Sequence, residues 1–209
     1  MSDIQDAIKQ IRENSKERKF TQSVEIAINL KGLDLKKPDN KFKEDIVLPN
    51  GRGNPSKVAV IGEELVSKSK GIADVFITGD DLSKIEKDKT KSKNLVDDVD
   101  FFIAEPAFMA RIGKSLGRVM GPRNKMPQPL PPQADPKPLI ERFKKTTRVA
   151  LKDSPVLHCL VGGEKMDDKE LEANIIYAIN AITAKLANKQ HNIRSIYLKM
   201  TMGPAARIR

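Results

Sequence analysis

The sequence has very few of the side chains from which catalytic and metal sites are usually built. It contains one cysteine, two histidines and no tryptophan in 209 residues. A single cysteine excludes a disulfide framework within the chain, and no cysteine or histidine pair has the spacing of a zinc site. Cys159 lies in the apolar run from Val156 to Val161, which predicts a buried, unreactive thiol.

Long apolar segments are also missing. No run approaches the roughly 20 apolar residues of a membrane-spanning helix. The first ten residues, MSDIQDAIKQ, are amphipathic and carry acidic side chains early, unlike a secretory signal peptide. Together with the lone cysteine, these absences favour a protein of the reducing cytoplasm.

Positive charge is what the chain has in excess. It carries 38 lysines and arginines against 28 acidic residues, a formal net charge of +10. An excess of this kind favours nucleic acid or another anionic surface as the partner. A soluble basic protein without a specific partner is the plainer alternative, and charge alone leaves it open.

The end of the chain combines this charge with a strand pattern. Residues 193–200 alternate in polarity and lead into a turn at residues 201–204. Because successive side chains of a strand point to opposite faces, Ser195, Tyr197 and Lys199 are predicted to share one face, away from an apolar core. The last 21 residues contain no acidic side chain, so a polyanion, and RNA in particular, is the expected partner.

The two ends of the chain share one pattern, and the middle has another. Each end pairs an amphipathic helix (residues 3–18 and 167–189) with an alternating strand, the first over residues 23–30. Between them, apolar strands alternate with helices, which predicts a parallel sheet covered on both sides. Two prolines and two glycines at residues 49–55 mark a boundary. We predict an α/β protein of two domains: a discontinuous α+β domain I (residues 1–53 and 147–209) and an inserted domain II (residues 54–146).

An unusual segment lies within the inserted region, at residues 113–127. It mixes glycine, proline and basic residues, and the wider stretch 106–134 contains no acidic residue. Two interpretations stay open, a loop that contacts phosphate and a rigid loop with a solvated basic rim. The basic residues of the wider stretch are Arg111, Lys114, Arg118, Arg123 and Lys125.

No convincing catalytic set is present. His158 lies in an apolar run and is interpreted as a core or strand histidine. After the first apolar strand of the middle region, Glu63 and Glu64 put carboxylates where a pyrophosphate needs backbone amides, and the chain contains no P-loop. We therefore predict no enzymatic activity, no cofactor and no metal site. A nucleotide- or phosphate-binding α/β enzyme is the alternative.

Three motifs resemble the ribosomal protein L1 family in its archaeal form. They are Arg194–Tyr197 with Thr201–Pro204, Leu116–Arg123 with Met126 and Pro127, and Lys19 and Phe20 with Ser23–Glu25. The resemblance extends over essentially the whole chain. Asn124 stands where family members often have glycine, and asparagine tolerates a left-handed backbone better than most residues.

The resemblance implies a split open-sheet domain built from both chain ends and an inserted Rossmann-like domain. It implies a structural protein of the large ribosomal subunit that binds ribosomal RNA at the mobile stalk near the tRNA exit site, with exit-site tRNA as a further partner. It also implies binding to the protein's own messenger RNA and repression of its translation. We expect a cytoplasmic, ribosome-associated protein that is monomeric when free.

The RNA-binding surface implied by the resemblance comes from both ends of the chain. Hydroxyl groups can pair with 2′-hydroxyls or base edges, and Gly203 lets the backbone approach the partner closely. The neutral residues would then supply selectivity, and nearby cations would supply salt-dependent affinity. The implied residues are Phe20, Ser23, Glu25, Ser195, Thr201, Met202 and Gly203, and we add Lys152 and Lys199 from their charge and placement.

Overall fold

The structure is a computed structural model that describes residues 2–37 and 40–208. Within these ranges the chain forms α-helices, β-strands and a 3-10 turn at Lys189–Asn192. In chain order the helices and strands are α1 Ser2–Asn14, β1 Ser23–Leu30, β2 Phe42–Val47, β3 Val58–Ile61, α2 Glu64–Ser69, β4 Val75–Ile77, α3 Gly79–Lys87, α4 Lys89–Asp98, β5 Phe101–Ala104, α5 Pro106–Ser115, α6 Gly117–Met120, β6 Gln128–Pro129, α7 Lys137–Lys144, β7 Thr146–Leu151, β8 Val156–Gly163, α8 Asp168–Lys185, β9 Ile193–Met200 and β10 Ala205–Arg207.

The chain forms two compact units. Unit 1 comprises Met1–Pro55 with Lys145–Arg209, and unit 2 comprises Ser56–Lys144. Helices and strands of both units confirm the predicted mixed α/β class. That the two units are independent domains, divided as the sequence analysis divides them, stays a prediction.

Unit 1 contains a four-stranded antiparallel sheet in the order β10-β9-β1-β8 and a two-stranded sheet of β2 and β7. In β1 the even-numbered residues from Val24 to Leu30 are buried and those between them are half-buried, as the alternation predicts. The buried face shares one core with α1 and α8, through Ile8, Ile11 and Ile175. The other face of the four-stranded sheet, called the open face below, carries the polar residues of β1 and β9.

Unit 2 contains a four-stranded parallel sheet in the order β4-β3-β5-β6. Every residue of β3 and β5 is buried, because the sheet has a separate core on each face. Ala59 and Phe102 belong to the core shared with α3 to α6, whereas Val60 and Ile103 belong to the core shared with α2 and α7. A parallel sheet buried on both faces is the doubly wound arrangement.

Three local predictions need correction. The first helix ends at Asn14 instead of residue 18. The last helix ends at Lys185 instead of residue 189, and a 3-10 turn spans the residues before β9. His158 lies on a strand, but at an exposed position of the open face and not in the core. The alternation along β8 turns its neighbours Leu157 and Cys159 inward and His158 outward.

Candidate functional site

The turn after β9 is fastened to the start of β1 by three hydrogen bonds. The Thr201 amide donates to the Ser23 carbonyl over 3.0 Å. The Thr201 hydroxyl accepts from the Ser23 amide (3.1 Å) and donates to the Ser23 carbonyl (3.3 Å). The fold thus brings together two predicted site residues that are 178 positions apart in the chain.

A fully buried glutamine, Gln22, connects this turn to the segment before β1. Its side-chain oxygen accepts from the Met202 amide over 3.0 Å, and its side-chain nitrogen donates to the Lys16 carbonyl over 3.3 Å. The Gln22 amide donates to the Glu164 carboxylate, and the Gln22 carbonyl accepts from the Glu164 amide, both over 2.9 Å. Gln22 was not among the predicted site residues. The sequence did contain a signal for its burial: Gln22 is two positions before the buried Val24, so the strand alternation puts both side chains on the same face.

Two apolar side chains of this region are exposed to solvent. Phe20 is 50% exposed and Met202 is 58% exposed, more than any other large hydrophobic residue described; Tyr177 follows at 49%. Both are predicted site residues. The Met202 amide donates to the Gln22 side chain, and Phe20 lies two positions before Gln22. The fold therefore presents an exposed apolar pair, Phe20 and Met202, of which Met202 has a hydrogen-bonded backbone.

Gly203 has a packing role in the structure. A Cβ atom added at this position would lie 2.3 Å from the Ser15 hydroxyl oxygen and 3.3 Å from the Met200 Cβ atom. The Gly203 amide donates to the Met200 carbonyl over 3.1 Å, which closes the turn. A side chain at Gly203 would thus force the Ser15 side chain to move, and the bare backbone is also available to a partner.

The remaining predicted residues of β1 and β9 lie on the open face. Glu25 stands directly opposite Lys199 in the strand register, so a carboxylate and an ammonium group share this part of the surface. Ser195 is only 7% exposed, and its hydroxyl accepts a hydrogen bond of 2.9 Å from the Asn29 side chain. Ser195 is therefore the least accessible of the predicted residues.

Lys152 is the residue directly after β7, outside the four-stranded sheet, and it is exposed. It belongs to a basic group with Lys43 and Arg148. The pKa of Lys43 is lowered, first by partial burial and then by the positive charge of Arg148, with a smaller effect from Lys152. Asp45 offsets part of this charge through bonds of 2.6 Å and 3.0 Å to Arg148.

The basic segment of unit 2, predicted as a loop over residues 113–127, is helical as far as Met120, and contacts within the unit hold it. Arg111 forms a two-pronged ion pair with Glu86 (2.8 and 2.9 Å) and holds the pKa of that carboxyl below its usual value. The Lys125 ammonium donates to the Val96 carbonyl over 2.8 Å. Asn124 has a left-handed backbone with φ of 56°, the conformation that asparagine tolerates. These contacts favour a rigid segment over a loop that contacts phosphate.

In unit 2 a carboxylate of the chain itself occupies the place where a bound phosphate would lie. The Glu105 carboxylate accepts from the amides of Glu63 and Leu65, both over 2.9 Å, at the end of β3 where doubly wound proteins bind phosphates. A Cβ atom at Gly62 would lie 2.3 Å from this carboxylate. The amides that a nucleotide would need are present, but a side chain of the same chain occupies them. This arrangement counts against the nucleotide-binding alternative.

Reactive groups are scarce in the described part of the chain. Burial raises the pKa of the Cys159 thiol to about 12, so the thiol is a weak nucleophile at neutral pH. The described residues contain no group of three histidine, cysteine or acidic side chains arranged to hold a metal ion. None of the helices in residues 2–37 and 40–208 combines the length and apolarity needed to cross a bilayer.

Comparison with known proteins identifies the family. The sequence model of the Ribosomal protein L1p/L10e family matches residues 11–204. The chain is 47% identical over 209 residues to the large ribosomal subunit protein uL1 of Thermoplasma volcanium, covering 100% of this chain and 96% of the relative. It is 48% identical over 210 residues to that of Thermoplasma acidophilum, with 100% and 97% covered, and 46% identical over 207 residues to that of Pyrococcus horikoshii, with 98% and 94% covered. These relatives are named as ribosomal proteins and not as enzymes. The chain belongs to the ribosomal protein L1 family.

Proposed function

We propose that this chain is a component of the large ribosomal subunit that binds ribosomal RNA through unit 1. The names of its relatives support the assignment to the large subunit, and with it a ribosome-associated location in the cytoplasm. The family resemblance and the net charge of +10 support RNA as the partner. The binding position follows from the resemblance and is the mobile stalk near the tRNA exit site, where exit-site tRNA is the further partner.

The observation that carries this proposal is the fixed turn with its exposed apolar pair. Met202 is exposed although its amide donates to the buried Gln22 side chain, and Phe20 is exposed two positions before Gln22. A rigid, neutral projection can make shape-specific contacts with sugars and base faces at a low cost in conformational entropy. Lys152 and Lys199 add attraction to phosphates, which is not sequence-specific. Neutral contacts thus select the RNA structure, and the cations strengthen its binding.

The test is the affinity of the full chain for a stalk fragment of large-subunit ribosomal RNA. Met202→Asp removes an apolar contact and adds a negative charge, so we expect binding weaker by about tenfold or more. Met126→Asp is the matched control, since Met126 is 43% exposed on unit 2. Equal affinities of the two variants would contradict the proposed surface. Thr201 is a poor target, because its hydroxyl also holds β1.

We propose further that the same surface binds a similar structure in the protein's own messenger RNA and represses its translation. The support is the family resemblance together with the position of both exposed apolar residues, Phe20 and Met202, on unit 1. If one surface serves both RNAs, the rRNA fragment should displace a messenger leader RNA in competition, and Met202→Asp should weaken both complexes equally. Simultaneous binding of both RNAs to one chain would overturn this.

The two units are also proposed to be independent domains. The ends of unit 2 lie side by side, since the Ser56 amide donates to the Lys144 carbonyl over 3.3 Å. A short glycine linker from Pro55 to Lys145 could therefore replace unit 2 without stretching the chain. The shortened protein should unfold cooperatively and keep most of its affinity for the rRNA fragment. A shortened protein without cooperative unfolding would contradict the division.

A further inference from the structure

We infer that the open face of the four-stranded sheet contains a slot for one unpaired RNA base, formed by Tyr197, Ala27 and His158. None of these three residues belongs to the predicted RNA-binding set. The inference rests on the proposed function and deepens it, because it names a second subsite and the kind of RNA element that the subsite takes.

Strand register places the three residues in one row across the sheet. Ala27 of β1 stands directly opposite Tyr197 of β9 on one side and opposite His158 of β8 on the other. His158 is exposed, and Ala27 and Tyr197 are half-buried, so the row lies on the open face. Two aromatic rings thus flank a methyl group.

The spacing of the row fits a single base. Tyr197 and His158 are two strand spacings apart, about 10 Å between their backbones. A flat base stacked between two rings needs about 7 Å, twice the rise of about 3.4 Å per base along one DNA strand. The Ala27 methyl group leaves this space open and forms its floor.

Neighbouring rows of the open face are filled differently. One row along the strands, Glu25 stands between Lys199 and Leu160, and all three side chains are long. One row in the other direction, the Asn29 side chain is bonded to the Ser195 hydroxyl over 2.9 Å. Of these three rows, the one centred on Ala27 is the one that combines two rings with a small residue between them.

The chemistry of the slot suits an unpaired base. RNA-binding proteins recognise splayed-out bases by stacking them on tyrosine and histidine rings, and the phenol and imidazole can also hydrogen-bond base edges. Arg207 of β10 stands opposite Tyr197 at the outer end of the row and is exposed, where it can meet a phosphate. Along β1, Ser23 and Ala27 are four residues apart, about 13 Å, so one RNA strand can reach both the turn and the slot.

The test fills the slot without removing its walls. Ala27→Leu occupies the floor, and Ala173→Leu makes the same change at an exposed position of α8, which packs on the other side of the sheet. With the rRNA stalk fragment we expect Ala27→Leu to weaken binding about 5- to 150-fold, the range for loss of one base stack. Ala173→Leu should bind as the wild type does. Thermal unfolding of both variants checks that the fold is kept.

A second measurement reports the slot directly. The stalk fragment carries 2-aminopurine at one unpaired position at a time, and stacking in the slot should quench its fluorescence at one position. Tyr197→Leu should abolish this quenching. If Met202→Asp weakens binding but Ala27→Leu does not, and no position is quenched, the slot is refuted while the proposed function stands. If the wild-type chain does not bind the fragment, both are refuted.

Discussion

Replacement of Gln22 by methionine tests whether one buried side chain fixes the proposed RNA-binding turn. The change keeps the approximate volume but removes the acceptor for the Met202 amide and the donor to the Lys16 carbonyl. Each such bond contributes about 0.5–1.5 kcal/mol net, so the expected loss of unfolding free energy is about 1–3 kcal/mol. The Glu164 bonds use the backbone of Gln22 and persist in the variant.

Urea unfolding and amide hydrogen exchange together measure this effect. Exchange at the Met202 amide should accelerate, and affinity for the rRNA fragment should fall because the exposed methionine loses its fixed position. Gln5→Met is the matched control, since the Gln5 amide bonds the Glu172 carboxylate on the surface and its loss should change stability by less than about 0.5 kcal/mol. Wild-type stability and wild-type exchange at Met202 in the Gln22 variant would refute the reasoning.

Two further predictions concern Gly203 and Cys159. Gly203→Ala should destabilise unit 1 by about 1–3 kcal/mol through the contact with the Ser15 hydroxyl, and adding Ser15→Ala should restore most of the stability measured by urea unfolding. If RNA also contacts the Gly203 backbone, the double variant Gly203→Ala, Ser15→Ala will bind the rRNA fragment more weakly than Ser15→Ala alone. Equal binding of these two variants would show that Gly203 acts only in packing. Because the pKa of Cys159 is about 12 in the folded chain against its ordinary 9.0, the unfolded chain loses this proton first, and stability should decline as pH rises from about 9 towards 12. Cys159→Ala should lack this part of the decline, and rapid labelling of the native thiol at pH 8 would contradict the burial.

Alternation along single strands was sufficient to predict the faces of β1 and β9. Their side chains follow the period of two because one face packs on α1 and α8 and the other does not. The same rule extended one residue before β1 puts Gln22 on the buried face. A buried glutamine must find partners for both of its polar atoms, but those partners, Met202 and Lys16, come from separate loops. No local pattern specifies which loops meet, so the role of Gln22 became visible only in the fold.

Glu105 shows the same limit for an interaction across a parallel sheet. From the sequence, Glu63 and Glu64 were the reason to doubt a phosphate site, because their carboxylates follow β3. In the structure the Glu63 amide does point into the position that a phosphate would take, and the carboxylate of Glu105, at the end of the neighbouring strand β5, accepts its hydrogen bond. The site is filled by a residue 42 positions away, which a motif search after β3 cannot detect. Parallel strands end at the same edge of a sheet, so an acidic residue directly after one strand is a candidate to block the anion site after the next.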